Sequence, residues 1–173
     1  MKRFLLLFAA GFVAVLIQVT LFDYLPLGGL KPDLLLIVVL YIGFFLPSNE
    51  GGVLCFALGY VEDLFSGHLM GLFTLMRVVA WLAARLMSGM LNLKSVFAQT
   101  IFVAIYSIAD YFILVAALRL FGGAEFPVPA PGNDLWRLAL MNAAAAPLVI
   151  TLLLRADRWL SRDQDRRSLD LLR

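Results

Sequence analysis

Residues 51–71 read GGVLCFALGYVEDLFSGHLMG: a small-residue apolar helix that ends in two adjacent carboxylates, Glu62 and Asp63. A short polar turn, Ser66-Gly67-His68, follows, and Gly71 opens the next apolar run. Carboxylates next to a bilayer are costly, so they call for a partner, a polar cavity or a task. Gly52, Cys55, Gly59 and Glu62 recur at helical spacing and share one face. Three of the four are small, which lets another backbone approach closely, as lipid-embedded helices require. Two readings follow. Either this is a structural face whose acids sit in the outer headgroup zone, or Asp63 caps or pairs across an interface that a partner recognises.

The surroundings of this stretch set the class. The chain has 173 residues, 62% of them hydrophobic and 15% charged, with a mean hydropathy of +0.92. A soluble domain sits nearer half apolar and a quarter charged. The excess predicts an all-α integral membrane protein folded as one domain over residues 1–173. One cysteine, Cys55, and one histidine, His68, exclude an internal disulfide and a structural zinc site. Neither H-E-x-x-H nor a phosphate-binding G-x-x-x-x-G-K-[ST] occurs. No catalytic, metal or cofactor residue is assigned.

Outward from the central stretch, six spans are predicted: 4–22, 33–46, 51–65, 69–91, 95–121 and 135–160. Helix 1 follows a basic Met1-Lys2-Arg3 start and is read as retained, because Gln18-Val19-Thr20 is not a signal-peptide cleavage site. Pro32 suits the first turn of helix 2, and Asp33 favours the positive end of its dipole. That helix is short for a span, so it is either a crossing in thinned bilayer or a buried half-helix. Pro47 to Gly52 makes a turn, joining helices 2 and 3 as an antiparallel hairpin. Trp81 and Arg85 on helix 4 are expected to reach toward the cytoplasmic face. Pro147 is expected to kink helix 6. A polar tail follows, 161–173.

Six crossings place both termini on one side. Lys2, Arg3, Arg85, Lys94 and the arginines from Arg155 onward fall at that side, against Lys31, Arg119 and Arg137 opposite. The positive-inside rule makes both termini cytoplasmic and puts Glu62 and Asp63 outside. The arginines of the tail are offset by Asp157, Asp163, Asp165 and Asp170. It therefore reads as a lipid-facing stop-transfer segment and not as a nucleic-acid binder. Arg77 lies roughly 12 Å and Asp110 roughly 16 Å from the outer side at 1.5 Å per residue. Matching depth on neighbouring helices predicts an Arg77–Asp110 ion pair. The alternative is an outer polar cavity lined by Glu62, Asp63, Arg77 and Asp110.

Lys31-Pro32-Asp33-Leu34 opens helix 2, Gly59-x-x-x-Asp63-x-x-Ser66-Gly67-x-x-x-Gly71 spans helices 3 and 4, and Asp110 stands within helix 5. On these residues, with the order and lengths of the six spans, nearly the whole chain resembles the MreD family of rod shape-determining proteins. The resemblance implies a non-enzymatic inner-membrane scaffold of the cell-elongation (rod) complex. Such a scaffold binds the membrane span and juxtamembrane part of MreC. Through MreC it is linked to the MreB cytoskeleton and to peptidoglycan synthesis by RodA and its class B penicillin-binding protein. Membrane lipid surrounds it, a homodimer is open, and nucleic acid has no part. The family is also similar in fold to the substrate-binding subunits of energy-coupling-factor transporters. A vitamin-binding carrier subunit is therefore the alternative function. What carries over is structural: Pro32, Asp33, Gly59, Asp63, Ser66, Gly67, Gly71 and Asp110. Glu62 and the long Pro/Gly loop 122–134 depart from the family pattern. The small-residue face of helix 3, Gly52 and Gly59 included, is one surface for a partner span, unless the bundle itself uses it.

Overall fold

The structure is a computed structural model that describes residues 2–24, 31–66, 69–90, 95–121 and 133–170. Gly67, His68 and most of the 122–134 loop lie outside the described residues. Six helices follow in order: α1 (Lys2–Tyr24), α2 (Leu34–Phe45), α3 (Ser48–Ser66), α4 (Leu72–Met90), α5 (Val96–Phe121) and α6 (Asn133–Asp170). α1, α4, α5 and α6 are long and apolar enough to cross a membrane by length and composition, so the chain is a multi-pass membrane protein. α2 has only 12 residues, and α3 carries three acids, Glu50, Glu62 and Asp63. Several boundaries differ from expectation, and α3 begins at Ser48, so most of the expected Pro47–Gly52 turn is helix. α4 begins at Leu72 rather than at residue 69, and α6 runs on through the polar tail to Asp170. Pro147 stands inside α6, and the helix continues through it.

α2 is the centre of the bundle. Its residues Leu35 to Gly43 are all buried. It packs against α1, α3, α4 and α6. Burial on all sides explains why its sequence is apolar all round, with no polar stripe. The short helix is thus shielded by its neighbours along most of its length. Pro32 precedes it and Asp33 is its N-cap, one position ahead of the expected first turn.

α4 holds the α2–α3 hairpin. Between α2 and α3 only Leu46 and Pro47 remain, and Gly51 N–H donates to Pro47 C=O at 2.9 Å. A Cβ on Gly43 would come within 2.6 Å of Ala84 Cβ and 2.8 Å of the Trp81 carbonyl. A Cβ on Gly59 would come within 2.7 Å of Thr74 Cα. Gly52 meets the Trp81 ring, at 3.2 Å from an added Cβ. Cys55 is buried. The small-residue face of α3 is therefore used inside the bundle and is not offered to a partner span. Trp81 itself packs over the hairpin, and Arg85 Nη1 reaches the Leu46 carbonyl at 3.5 Å. The outer face of α3 carries Val53, Phe56, Tyr60 and Leu64, all exposed. In a bilayer that face meets lipid tails, as apolar as itself.

At one end of the bundle Arg3 Nη2 donates to Asp157 Oδ2 at 2.8 Å, which brings the start of α1 beside the later part of α6. The start of α2, the end of α3 and the start of α4 lie together at the other end, joined by the side-chain contacts described below.

The helix-packing glycines generate a direct contrast. Gly43→Leu should cost about 1–3 kcal/mol through overpacking, whereas an added Cβ at Gly89 meets nothing within 4 Å. Thermal unfolding in detergent should show a lowered midpoint for Gly43→Leu. For Gly89→Ala the midpoint should be unchanged or raised, because alanine suits a helix interior better than glycine.

Candidate functional site: a polar cavity at the start of the central helix

A helix that begins inside an apolar bundle has four N–H groups with no intrahelical partner. Without water, each must be satisfied by protein. At α2 all four are. Leu34 N donates to the Pro32 carbonyl at 3.1 Å, and Ile37 N to the Asp33 carbonyl at 3.4 Å. Leu36 N donates to Asp33 Oδ1 at 2.8 Å. Leu35 N donates to Gln18 Oε1 at 3.2 Å, so the fourth partner comes from α1. Gln18 Nε2 in turn donates to Asp33 Oδ1 at 3.2 Å. The Asp33 amide donates to Asn142 Oδ1 of α6 at 2.7 Å. Asn142 Nδ2 donates to Ser107 Oγ of α5 at 2.9 Å, and that hydroxyl donates to the Val103 carbonyl.

The other oxygen of Asp33 faces a cation. Arg77 Nη2 donates to Asp33 Oδ2 at 2.8 Å. Its Nε and Nη2 also form a fork with Glu62, 2.7 Å to each carboxylate oxygen. The guanidinium is thus clamped between α2 and α3 from its place on α4. Bidentate geometry of this kind is the strong form of the arginine–carboxylate contact. The Arg77–Asp110 pair expected from matched depth is not formed. Arg77 pairs with Asp33 and Glu62 instead, because α4 packs closely on α2 and α3 and only lightly on α5. Which way Arg77 faces about the α4 axis decides its partners.

Asp63 turns away from Arg77 and caps α4. Its Oδ1 accepts from Phe73 N at 2.9 Å and its Oδ2 from Thr74 N at 3.0 Å. The Thr74 hydroxyl donates to the same Oδ2. Leu72 N and Leu75 N donate to the Leu69 and Gly71 carbonyls. The start of α4 is therefore as fully satisfied as that of α2. Asp63 is thus a cap across the α3–α4 contact inside the bundle. Ser66 Oγ donates back to the Asp63 carbonyl at 3.2 Å. Gly71 has φ of +90° with nothing near an added Cβ, so the turn needs glycine for its backbone and not for space.

The residues gathered at this end enclose a cavity of about 500 Å³. Asp33, Glu62, Arg77 and Asp110 line it together with Gln18, Lys31, Ser107 and Asn142. Apolar walls come from Leu36, Phe73, Met76 and Leu114, among others. Of the four residues expected at an outer cavity, three are present and Asp63 is not. Gly52, Ser66 and Gly71 do not line it either. Gln18, Ser107 and Asn142 were missed as site residues. Each is a polar side chain within a largely apolar helix, and that was the available signal.

Arg77 is 1% exposed, so removing it strands two carboxylates. Arg77→Met should lower stability by about 3–5 kcal/mol, the usual cost of an uncompensated buried charge. In a double-mutant cycle read by thermal unfolding, Arg77 with Glu62→Gln should show coupling of about 0.5–3 kcal/mol. Asp63→Ala should cost about 0.5–2 kcal/mol through loss of the α4 cap.

No curated protein and no solved structure matches the chain. Residues 1–155 match the family described as rod shape-determining protein MreD. The match runs from the first residue into α6 and so takes in every helix that contributes to the cavity. By that match the chain belongs to the MreD family of cell-shape proteins, a family not known for enzymes.

Proposed function

We propose that the chain is a scaffold subunit of the bacterial rod complex in the inner membrane. It binds MreC and, through it, links the MreB cytoskeleton to peptidoglycan synthesis by RodA and its class B penicillin-binding protein. Family membership is the observation that carries this reading. The architecture supports it. The described residues are almost all helix, with short connections and no separate soluble domain among them. A partner must then be met within the membrane or at its rims. Because Gly52 and Gly59 are packed against α4, the MreC span is expected on an outer helix face or at a rim.

The remaining parts of this reading are the six-crossing topology, cytoplasmic termini, and a fold similar to the energy-coupling-factor subunits. The Arg3–Asp157 contact supports a common side for the start of α1 and the later part of α6. The basic residues clustered there support the cytoplasm as that side. The carrier alternative gains support only from the cavity, and family membership favours the scaffold.

Two measurements test this. MreC reduced to its membrane span and flanking residues should co-purify with the full chain from detergent. If neither that fragment nor intact MreC is retained, the scaffold reading falls. A periplasm-active reporter fused to either terminus should be inactive; activity at both would invert the topology, and activity at one alone would overturn the six crossings.

A further inference from the structure

Two polar atoms at the cavity have no partner. Arg77 Nη1 is buried and donates to nothing, although the rest of the guanidinium is fully engaged. Asp110 Oδ1 is buried and accepts from nothing. Both residues line the cavity, and their charges lie near enough to interact. An unmet buried donor and an unmet buried acceptor are each costly, and more so in an apolar bundle. The cavity that both residues line, about 500 Å³, has room for a ligand.

The charges select its chemistry. The lining holds Arg77 and Lys31 against Asp33, Glu62 and Asp110, an excess of one carboxylate. Arg77 is already clamped by Asp33 and Glu62, and Asp110 lies outside that clamp with an oxygen that accepts from nothing. That carboxylate calls for a cation with N–H donors. Arg77 Nη1 calls for an oxygen acceptor on the same molecule. A small cation without an acceptor leaves the guanidinium unmet, and an anion meets Glu62 and Asp33 at close range.

We propose that this cavity binds a primary ammonium group carrying a nearby oxygen acceptor, with the ammonium on Asp110 and the oxygen on Arg77 Nη1. An ethanolamine phospholipid headgroup has this chemistry, and so does free phosphoethanolamine. The largely apolar wall favours the lipid as the source. This inference does not depend on the scaffold reading. A protein that failed to retain MreC would still hold or lack the site.

The test uses the purified full chain, stripped of lipid in detergent. Native mass spectrometry compares phosphatidylethanolamine with phosphatidylcholine of the same acyl chains. The two differ in whether the ammonium has N–H donors. Phosphatidylethanolamine should be retained roughly tenfold or more over phosphatidylcholine, the scale of one charge-assisted hydrogen bond. Asp110→Asn should erase that preference. Leu138→Trp, which fills the cavity from α6 without removing a charge, should erase it too and serves if Asp110→Asn does not fold. In a parallel arm, thermal unfolding is followed with phosphoethanolamine alone. A raised midpoint in the unsubstituted chain, lost in either variant, with no lipid preference, supports the site and assigns a soluble source. Equal retention of the two lipids with no effect of phosphoethanolamine overturns the proposal. So does a preference that survives both variants.

Discussion

The guanidinium of Arg77 sits in the interior of an apolar bundle, and three helices must be in register to hold it. α4 carries the charge, α2 presents Asp33 and α3 presents Glu62. Removing Arg77 would leave both carboxylates without their cation, beside apolar neighbours such as Leu36, Phe73 and Met76. Asp33 has a second duty at the same time. Its other oxygen closes the exposed N–H groups at the start of α2. The charge clamp and the helix cap therefore share one side chain. A shift of α2 by a single residue would break both.

This explains how a 12-residue helix persists at the centre of a membrane protein. A helix end inside hydrocarbon is tolerated only where protein satisfies its backbone. Here the satisfaction comes from α1, α2 itself and α6, by way of Gln18, Asp33 and Asn142. The same device recurs at α4, where Asp63 supplies the cap across the turn. Two helices thus begin at one end of the bundle on carboxylates that suit their positive dipole ends. The polar cavity is the space left between those beginnings and the later part of α5.

This organisation separates the inner packing from the outer faces. The small residues of α3 and the Trp81 ring pack the hairpin closely onto α4. The outer faces carry large apolar side chains such as Phe56, Phe97, Phe112 and Trp136. Such faces can exchange lipid for a partner span without disturbing that packing. The cavity is a third region, polar where the outer faces are not.

Much of this was legible in the amino-acid order. Hydropathy and the Pro/Gly turns located all six helices, and Asp33 before an apolar run marked the cap of α2. Residue counting put Arg77 and the acids at similar depth, which is why Glu62, Arg77 and Asp110 were expected together. Rotation was not legible. Helices that are apolar all round give no stripe to say which side faces protein and which faces lipid. So Arg77 was assigned to Asp110 on the next helix, while packing turned it to Asp33 and Glu62. For the same reason the small face of α3 was left between two uses, and only the approach of Thr74 and Trp81 showed that the bundle takes it. Composition and spacing determined that this chain crosses a membrane with buried charges at one end. Which charges meet, and what space they leave, was decided by how the helices pack, because azimuth and neighbour order are properties of the assembled bundle.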